Sequence, residues 1–255
     1  VYNIGSEIRL DVYSFESQYW YIYKNTAEVW FDYSTNELAV AIDSMPIDFE
    51  YSNIATFYLD PLGTLLETLG YFRFQCACGI IDGKAVLFAG KHGSGKSTAA
   101  FTIPTHGGTI VSDDLTFIHK DEKGYYPASL TKLVGLGLET VNTFFPELNR
   151  VHSAAFIDNI IYYFLGDINS VKQEEFDISV IAKLEKSGKK ATGCAPSNPA
   201  EIMPMLFPEG LHTSIEANTG AKFLFVADML DEITNCKISS GTDMNDLAAH
   251  IKALL

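Results

Sequence analysis

Residues 84–114 read KAVLFAGKHGSGKSTAAFTIPTHGGTIVSDD. An apolar run enters a glycine-rich loop, a helix-compatible stretch follows, and a second apolar run ends on two carboxylates. Gly90, Gly95, Lys96 and Ser97 satisfy the phosphate-loop pattern G-x-x-x-x-G-K-[ST], which has meaning only between a strand and a helix. Here Lys84 to Ala89 supplies the strand, and Lys96 to about Ile103 the helix, stopped near Pro104 and Gly107-Gly108. The loop of Gly90, Lys91, His92, Gly93, Ser94, Gly95, Lys96, Ser97 and Thr98 is therefore predicted to bind a nucleoside triphosphate, ATP with Mg²⁺. Its glycines let backbone N–H groups converge on phosphate oxygens at the positive end of a helix. In this pattern Lys96 reaches the β- and γ-phosphates and the Ser97 hydroxyl ligates Mg²⁺.

Thr109-Ile110-Val111 reads as a short strand ending in Ser112-Asp113-Asp114, only seventeen residues beyond Lys96. A unit of this length brings the chain back to the end of the sheet from which it left. Both aspartates are then expected beside the γ-phosphate. Phosphoryl transfer needs a metal clamp and a carboxylate to take the acceptor proton. Asp113 is assigned as the base and Asp114 as the Mg²⁺ ligand; the reverse order satisfies the same chemistry, and a turn capped by one carboxylate is the plainer reading.

Composition sets the limits around this unit. The chain has 255 residues, 47% of them hydrophobic and 20% charged, enough apolar material for a sizeable core. Net charge is −14, with only Arg9, Arg73 and Arg150 as arginines, which argues against nucleic acid as a partner. The same charge repels a free triphosphate at long range, so the phosphate site has to be locally positive. No apolar run approaches the ~18 residues of a membrane span and no signal peptide is visible, so a cytoplasmic location and no membrane partner are expected. Cys76, Cys78, Cys194 and Cys236 form no C-x-x-C pair and read as small buried hydrophobes. The six histidines lack metal-ligand spacing; His92 alone sits in the glycine loop.

Outside the central unit, residues 1–60 read as an aromatic-rich antiparallel meander with turns at Lys24–Thr26 and Ser34–Asn36. Core packing is its first use, and a sheet edge that takes a peptide strand its second. Asp60-Pro61 is a helix start for Leu62, Leu65, Leu66 and Leu69, with Gly70 as the stop. Asp82-Gly83 is a turn. Further strands are expected at Leu115–Ile118, Tyr125–Pro127, Ile160–Phe164 and near Ile178–Ile181. Helices are expected at Pro199–Leu206, at Glu216–Ile233 and after Asp243. The four lysines between Lys183 and Lys190 read as a solvated loop, with peptide docking as the alternative. Domain boundaries follow: a β-rich segment over 1–60, and an α/β catalytic domain with a mixed sheet over 61–255.

The run from Gly83 to Ile118 resembles the catalytic domain of HPr kinase/phosphorylase, a bacterial protein serine kinase sharing its fold with phosphoenolpyruvate carboxykinase. It resembles still more the HPr-kinase-like proteins of peptide biosynthesis clusters, some of which phosphorylate a serine on a lasso-peptide precursor. The likeness is strongest over residues 71–135 and does not reach residues 1–60. It implies a mixed-sheet phosphate-loop domain of that type and an ATP/Mg²⁺-dependent kinase acting on a serine of a peptide or protein. Lys96, Ser97, Asp113 and Asp114 then hold the roles given above, and a homo-oligomer is compatible with it. Lys132 matches a lysine that follows a Tyr-Pro pair in the cluster kinases, here Tyr126-Pro127, as a contact to phosphate or substrate, or as a solvated lysine. Two departures stand out. The segment Lys132–Leu138 is similar to an E-x-R-G-x-G signature, with lysine for the acid and Val134 for the arginine, and Gln75 replaces a histidine before the loop strand. These argue against phosphorylase activity and against HPr as the substrate. A kinase of a small hydroxylated metabolite and a nucleotide-binding accessory protein without transferase activity remain the competing readings.

Overall fold

A computed structural model describes residues 2–4, 8–23, 27–35, 37–42, 61–168, 176–207 and 216–255. Asp60 and the Lys24–Thr26 turn lie outside them. The chain divides into two compact units, Val1–Phe72 with Gly210–Ala221, and Arg73–Glu209 with Lys222–Leu255. The helix at 61–68 thus groups with the strands before it.

In the first unit, β1 (Tyr2–Ile4), β2 (Ile8–Phe15), β3 (Gln18–Tyr23), β4 (Ala27–Asp32) and β5 (Glu37–Ile42) form one antiparallel sheet in chain order. Alternation decides its faces: Tyr19, Tyr21, Tyr23, Ala27, Val29 and Phe31 are buried with Leu65 of helix α1 (residues 61–68). Tyr21 is tied to that helix by its hydroxyl, which donates to Thr64 Oγ1 at 2.7 Å. Gly70, at φ +86°, ends the helix. The Tyr71 and Gly70 amides donate to the carbonyls of Leu66 and Glu67, a Schellman closure that only a left-handed residue permits at low cost.

The second unit holds β6 (Phe72–Phe74, cut by the unit boundary), β7 (Cys76–Ile81), β8 (Lys84–Ala89), α2 (Lys96–Thr102), β9 (Thr109–Ser112), β10 (Thr116–Lys120) and β11 (Tyr125–Ala128). There follow β12 (Leu133–Gly137), α3 (Leu138–Phe144), β13 (Ser153–Ile157), β14 (Ile160–Phe164), α4 (Leu165–Ile168) and β15 (Ile178–Lys186). The last elements are β16 (Gly193–Pro196), α5 (Pro199–Leu206), α6 (Glu216–Glu232, the other element that straddles the boundary), β17 (Thr234–Ser240) and α7 (Met244–Ala253). Asn198 and Asp243 cap α5 and α7 by accepting from amides of the first turn, as N-cap side chains do.

The central sheet runs β16-β17-β15-β8-β7-β9. Strands β17, β15 and β8 are parallel, whereas β7 is antiparallel to both β8 and β9. The sheet is therefore mixed, as expected. The connection from β8 through α2 to β9 differs from a simple neighbouring pair, because β7 lies between the two parallel strands. Asp82 and Gly83, both at positive φ, make the two-residue turn that folds β7 back against β8. Val86 and Phe88 face Ala99, Ala100, Phe101 and Ile103, and this core continues through Val134, Val141, Phe145, Leu247 and Ile251.

The 183–190 segment departs from the expected loop. Strand β15 continues to Lys186, and Lys183 is only 7% exposed. Lys183 stands directly opposite Lys237 of β17. Like charges in register repel, and here Glu185 accepts from both, at 3.1 and 2.6 Å, while Glu201 of α5 takes Lys183 at 2.7 Å. Among the described residues no helix is long and apolar enough to cross a membrane.

Phe101 is 2% exposed and packs its ring against Phe145 and Tyr163. Phe101→Ala is expected to cost about 3–5 kcal/mol, read as a lowered urea midpoint for the unit that contains α2.

Candidate functional site

The glycine loop takes its shape from one close contact that leaves no room for a side chain and from backbone angles that disfavour one. A Cβ on Gly90 would lie 2.4 Å from Ser94 Oγ and 3.0 Å from the Leu184 carbonyl. Gly95, at φ +102°, is the N-cap of α2; a larger residue would be strained there. The Lys96 side chain is 6% exposed and folds back into the loop, where Nζ donates to the carbonyls of Gly90 at 3.1 Å and Lys91 at 3.4 Å. Lys91, His92 and Gly93 are exposed, whereas Ser94, Gly95, Ser97 and Thr98 are half-buried. The first amides of α2 lack intrahelical acceptors by construction, so the loop has donors free at the end where the Lys96 ammonium lies.

Strand register brings the acidic pair alongside this loop. Cys78 of β7 is opposite Leu87 on one side and Ser112 on the other, so β9 ends about level with the end of β8. The chain then turns within three residues: the Leu115 amide donates to the Asp113 carbonyl at 2.8 Å, and Asp114 sits at φ +66°. A γ-turn with its central residue at positive φ is rare, and strain of this kind costs about 1–3 kcal/mol. Two buried hydroxyls brace it. Thr116 Oγ1 donates to the Cys76 carbonyl at 2.7 Å and lies 2.6 Å from Ser112 Oγ. Thr116 has one proton, already given to Cys76, so Ser112 is the donor to Thr116. The residues on either side of Asp113-Asp114 are thereby fastened to each other and to β7.

Asp113 and Asp114 occupy different environments. Asp114 is exposed. Asp113 is half-exposed as a residue, yet its Oδ1 is shut off from solvent, and Oδ2 accepts from the Gly135 amide of β12 at 3.2 Å. Burial pushes its pKa up to about 6, and the charge of Asp114 adds to the rise. The nearby Ser97 hydroxyl, the Gly135 amide and the Lys96 ammonium offset part of it. Ser97 acts on the carboxylate through its hydroxyl, and Asp113 Oδ1 is buried without a close hydrogen-bond partner among the described residues. A serine hydroxyl beside two neighbouring carboxylates, one of them with a buried oxygen that no close donor fills, is a donor set that a hard divalent cation completes with phosphate oxygens and water. The residues therefore fit Mg²⁺, although no group of three or more His, Cys, Asp or Glu side chains gathers among the described residues.

Lys132 is exposed just before β12, three residues from Gly135 and so roughly 10 Å from it along an extended chain. Val134 is buried in the core, and the Gln75 backbone N–H donates to the Leu206 carbonyl at 2.9 Å. Cys76 and Cys78 are fully buried; burial pushes Cys76 up to about 12 and raises Cys78 well above its usual range, so neither supplies a thiolate. Cys236 is buried too, but Cys194 is exposed, against the expectation of four buried thiols. Gly135, Ser112 and Thr116 join the site as supports that the motif reading does not assign.

Comparison with known folds places this chain beside the Hpr(Ser) kinase/phosphatase from Coxiella burnetii, at 16% identity and a TM-score of 0.37, over 71% of this chain and 92% of that one. No family model and no curated protein matches. A superposition that loose transfers no residue roles.

Two outcomes follow from these contacts. An acid whose pKa is raised in the folded state holds its proton where the unfolded chain has lost it, so stability falls as pH rises from about 4 to about 6 and stays lowered above that. Asp113→Asn removes the buried charge and should stabilise the ligand-free protein at pH 7 by up to ~3 kcal/mol, the gain vanishing near pH 4. Urea melts at both pH values would show it. Thr116→Val, which keeps the shape and removes both hydrogen bonds, should lower stability by about 1–3 kcal/mol, with Thr116→Ser restoring most of it.

Proposed function

We propose that this protein is an ATP- and Mg²⁺-dependent kinase that transfers the γ-phosphoryl group to a serine hydroxyl of a peptide or protein acceptor in the cytoplasm. The observation that carries this reading is the register across β8, β7 and β9, which sets a carboxylate with a pKa near 6 beside a phosphate loop. A raised pKa suits a proton acceptor better than a metal ligand, which has to be ionised to bind.

In this reading the loop amides and Lys96 hold the β- and γ-phosphates, with the ammonium leaving the Gly90 and Lys91 carbonyls for phosphate oxygens. Ser97 Oγ and Asp114 hold Mg²⁺, which when bound neutralises charge on the phosphates. Asp113 acts as base: its carboxylate is oriented by the Gly135 amide on Oδ2 and takes the proton of the acceptor hydroxyl. The serine oxygen bonds to the γ-phosphorus as the bridging bond to the β-phosphate breaks. ADP leaves with the electron pair of that bond, and phosphoserine remains. A pKa near 6 suits a base at neutral pH. The serine, as opposed to another hydroxyl, is supported by the resemblance over Gly83–Ile118.

The test is transfer from labelled ATP to candidate serine peptides with Mg²⁺. Asp113→Asn is expected to abolish transfer while ATP affinity stays within a few-fold, and Lys96→Ala to lose both, since its ammonium serves ground and transition states alike. For the wild type, kcat/KM should rise through about pH 6 as Asp113 ionises. Normal transfer by Asp113→Asn would remove Asp113 as the base. Tight ATP binding with negligible transfer to any hydroxyl would leave a nucleotide-dependent accessory protein.

A further inference from the structure

The outer face of the N-terminal sheet carries a pattern that the phosphate site does not use. Register fixes it: Tyr13 is opposite Trp20, Trp20 opposite Trp30, and Trp30 opposite Ala39. All four point away from the core of Tyr19, Tyr21, Val29 and Phe31, because neighbours in a strand alternate faces. The Trp20 and Trp30 rings are 6.3 Å apart between centroids, tilted by 50°. Both are half-exposed, Tyr13 is 54% exposed, and Phe15, on the same face, is 66% exposed. In soluble proteins such a run of aromatic surface marks a contact site.

Its borders are acidic. The row on one side is Asp11, Ile22, Glu28 and Ala41; the row on the other is Phe15, Gln18, Asp32 and Glu37. Glu28 and Glu37 are exposed, and Glu28 lies two residues from Trp30, roughly 7 Å along the strand. Asp32 is engaged by Ser34 and Gln18, and these hydrogen bonds hold its carboxyl well below the usual carboxylate range. Of the chain's 32 acidic residues 11 fall in residues 1–72, against two of its 18 basic ones, Arg9 and Lys24.

Aromatic faces attract cations, and a planar guanidinium both stacks on indole and pairs with carboxylates. Side chains at i and i+2 of an extended segment are spaced roughly 7 Å apart, close to the separation of the two tryptophan rings. We propose that this face, centred on Trp20 and Trp30 and bordered by Glu28 and Glu37, docks an extended polypeptide segment with arginines at alternate positions. Nucleic acid is repelled by the same carboxylates, and a purely apolar partner would bury them unpaired. The proposal is independent of the kinase reading.

Trp20 and Trp30 are the only tryptophans of the chain, so tryptophan fluorescence of the whole protein reports on this surface. Titration with the capped peptide Arg-Thr-Arg-Thr-Arg at physiological ionic strength should give a saturable change. The lysine counterpart should bind ~3-fold more weakly or worse, and Glu28→Lys and Tyr13→Ser should each weaken binding by ~3–10-fold. Glu122→Lys, the same charge change at an exposed position of the other unit, should leave affinity unchanged. The proposal is overturned by no saturable change, by equal weakening in Glu28→Lys and Glu122→Lys, or by a glutamate counterpart that binds as well.

Discussion

Strand β7 is the element on which the site depends. It separates β8 from β9 and pairs with both, so its register decides where the glycine loop and the acidic turn end up relative to each other. A slip of one residue would turn every side chain of β9 to the opposite face and remove Ser112 from Thr116. The Cys76 carbonyl, at the end of β7, is also the acceptor that anchors Thr116. One strand thus supplies both the spacing of the two functional loops and the point to which the second is fastened. Cys76, Ala77 and Cys78 suit this position because small, fully buried side chains let the covering layers close over both faces.

The acidic turn shows how a fold can hold an unfavourable arrangement. Asp114 has a positive φ, Asp113 is enclosed, and the two carboxylates repel. Each cost is local, and each is held by contacts from elsewhere: the Ser112–Thr116–Cys76 chain below and the Gly135 amide across from β12. Gly135 is itself confined, since a Cβ there would meet Ile160 at 2.9 Å and Tyr162 at 3.0 Å. A residue at 135 therefore has to be small as well as a donor.

Much of this was legible in the sequence because it is local. The strand–loop–helix over 84–102, the short strand ending on two aspartates, the Asp82-Gly83 turn, the Gly70 stop and the Asp243 cap are all encoded within a few neighbouring residues. What escaped depends on distant partners. Strand β12, with glycine at every second place in Val-Gly-Leu-Gly, shows little strand propensity, and its amide meets Asp113 across 22 residues of chain. Thr116 reads as one more residue of a β-run until Cys76 is placed beside it. Lys183 sat in a lysine-rich stretch that implies solvent, but it is neutralised by Glu201 of α5 and by Glu185 of its own strand, which also takes Lys237 of β17. Composition cannot reveal a charge network that spans three elements.

Lys96 folded onto its own loop has a further consequence. The ammonium already satisfies two carbonyls, so an anion has to outbid them before the lysine will swing toward it. Two neutral acceptors are a modest hold, one that a multiply charged anion can release more readily than a small monovalent one. For the proposed kinase the loop would then act as a charge threshold, sorting anions by charge density before any base or sugar is met.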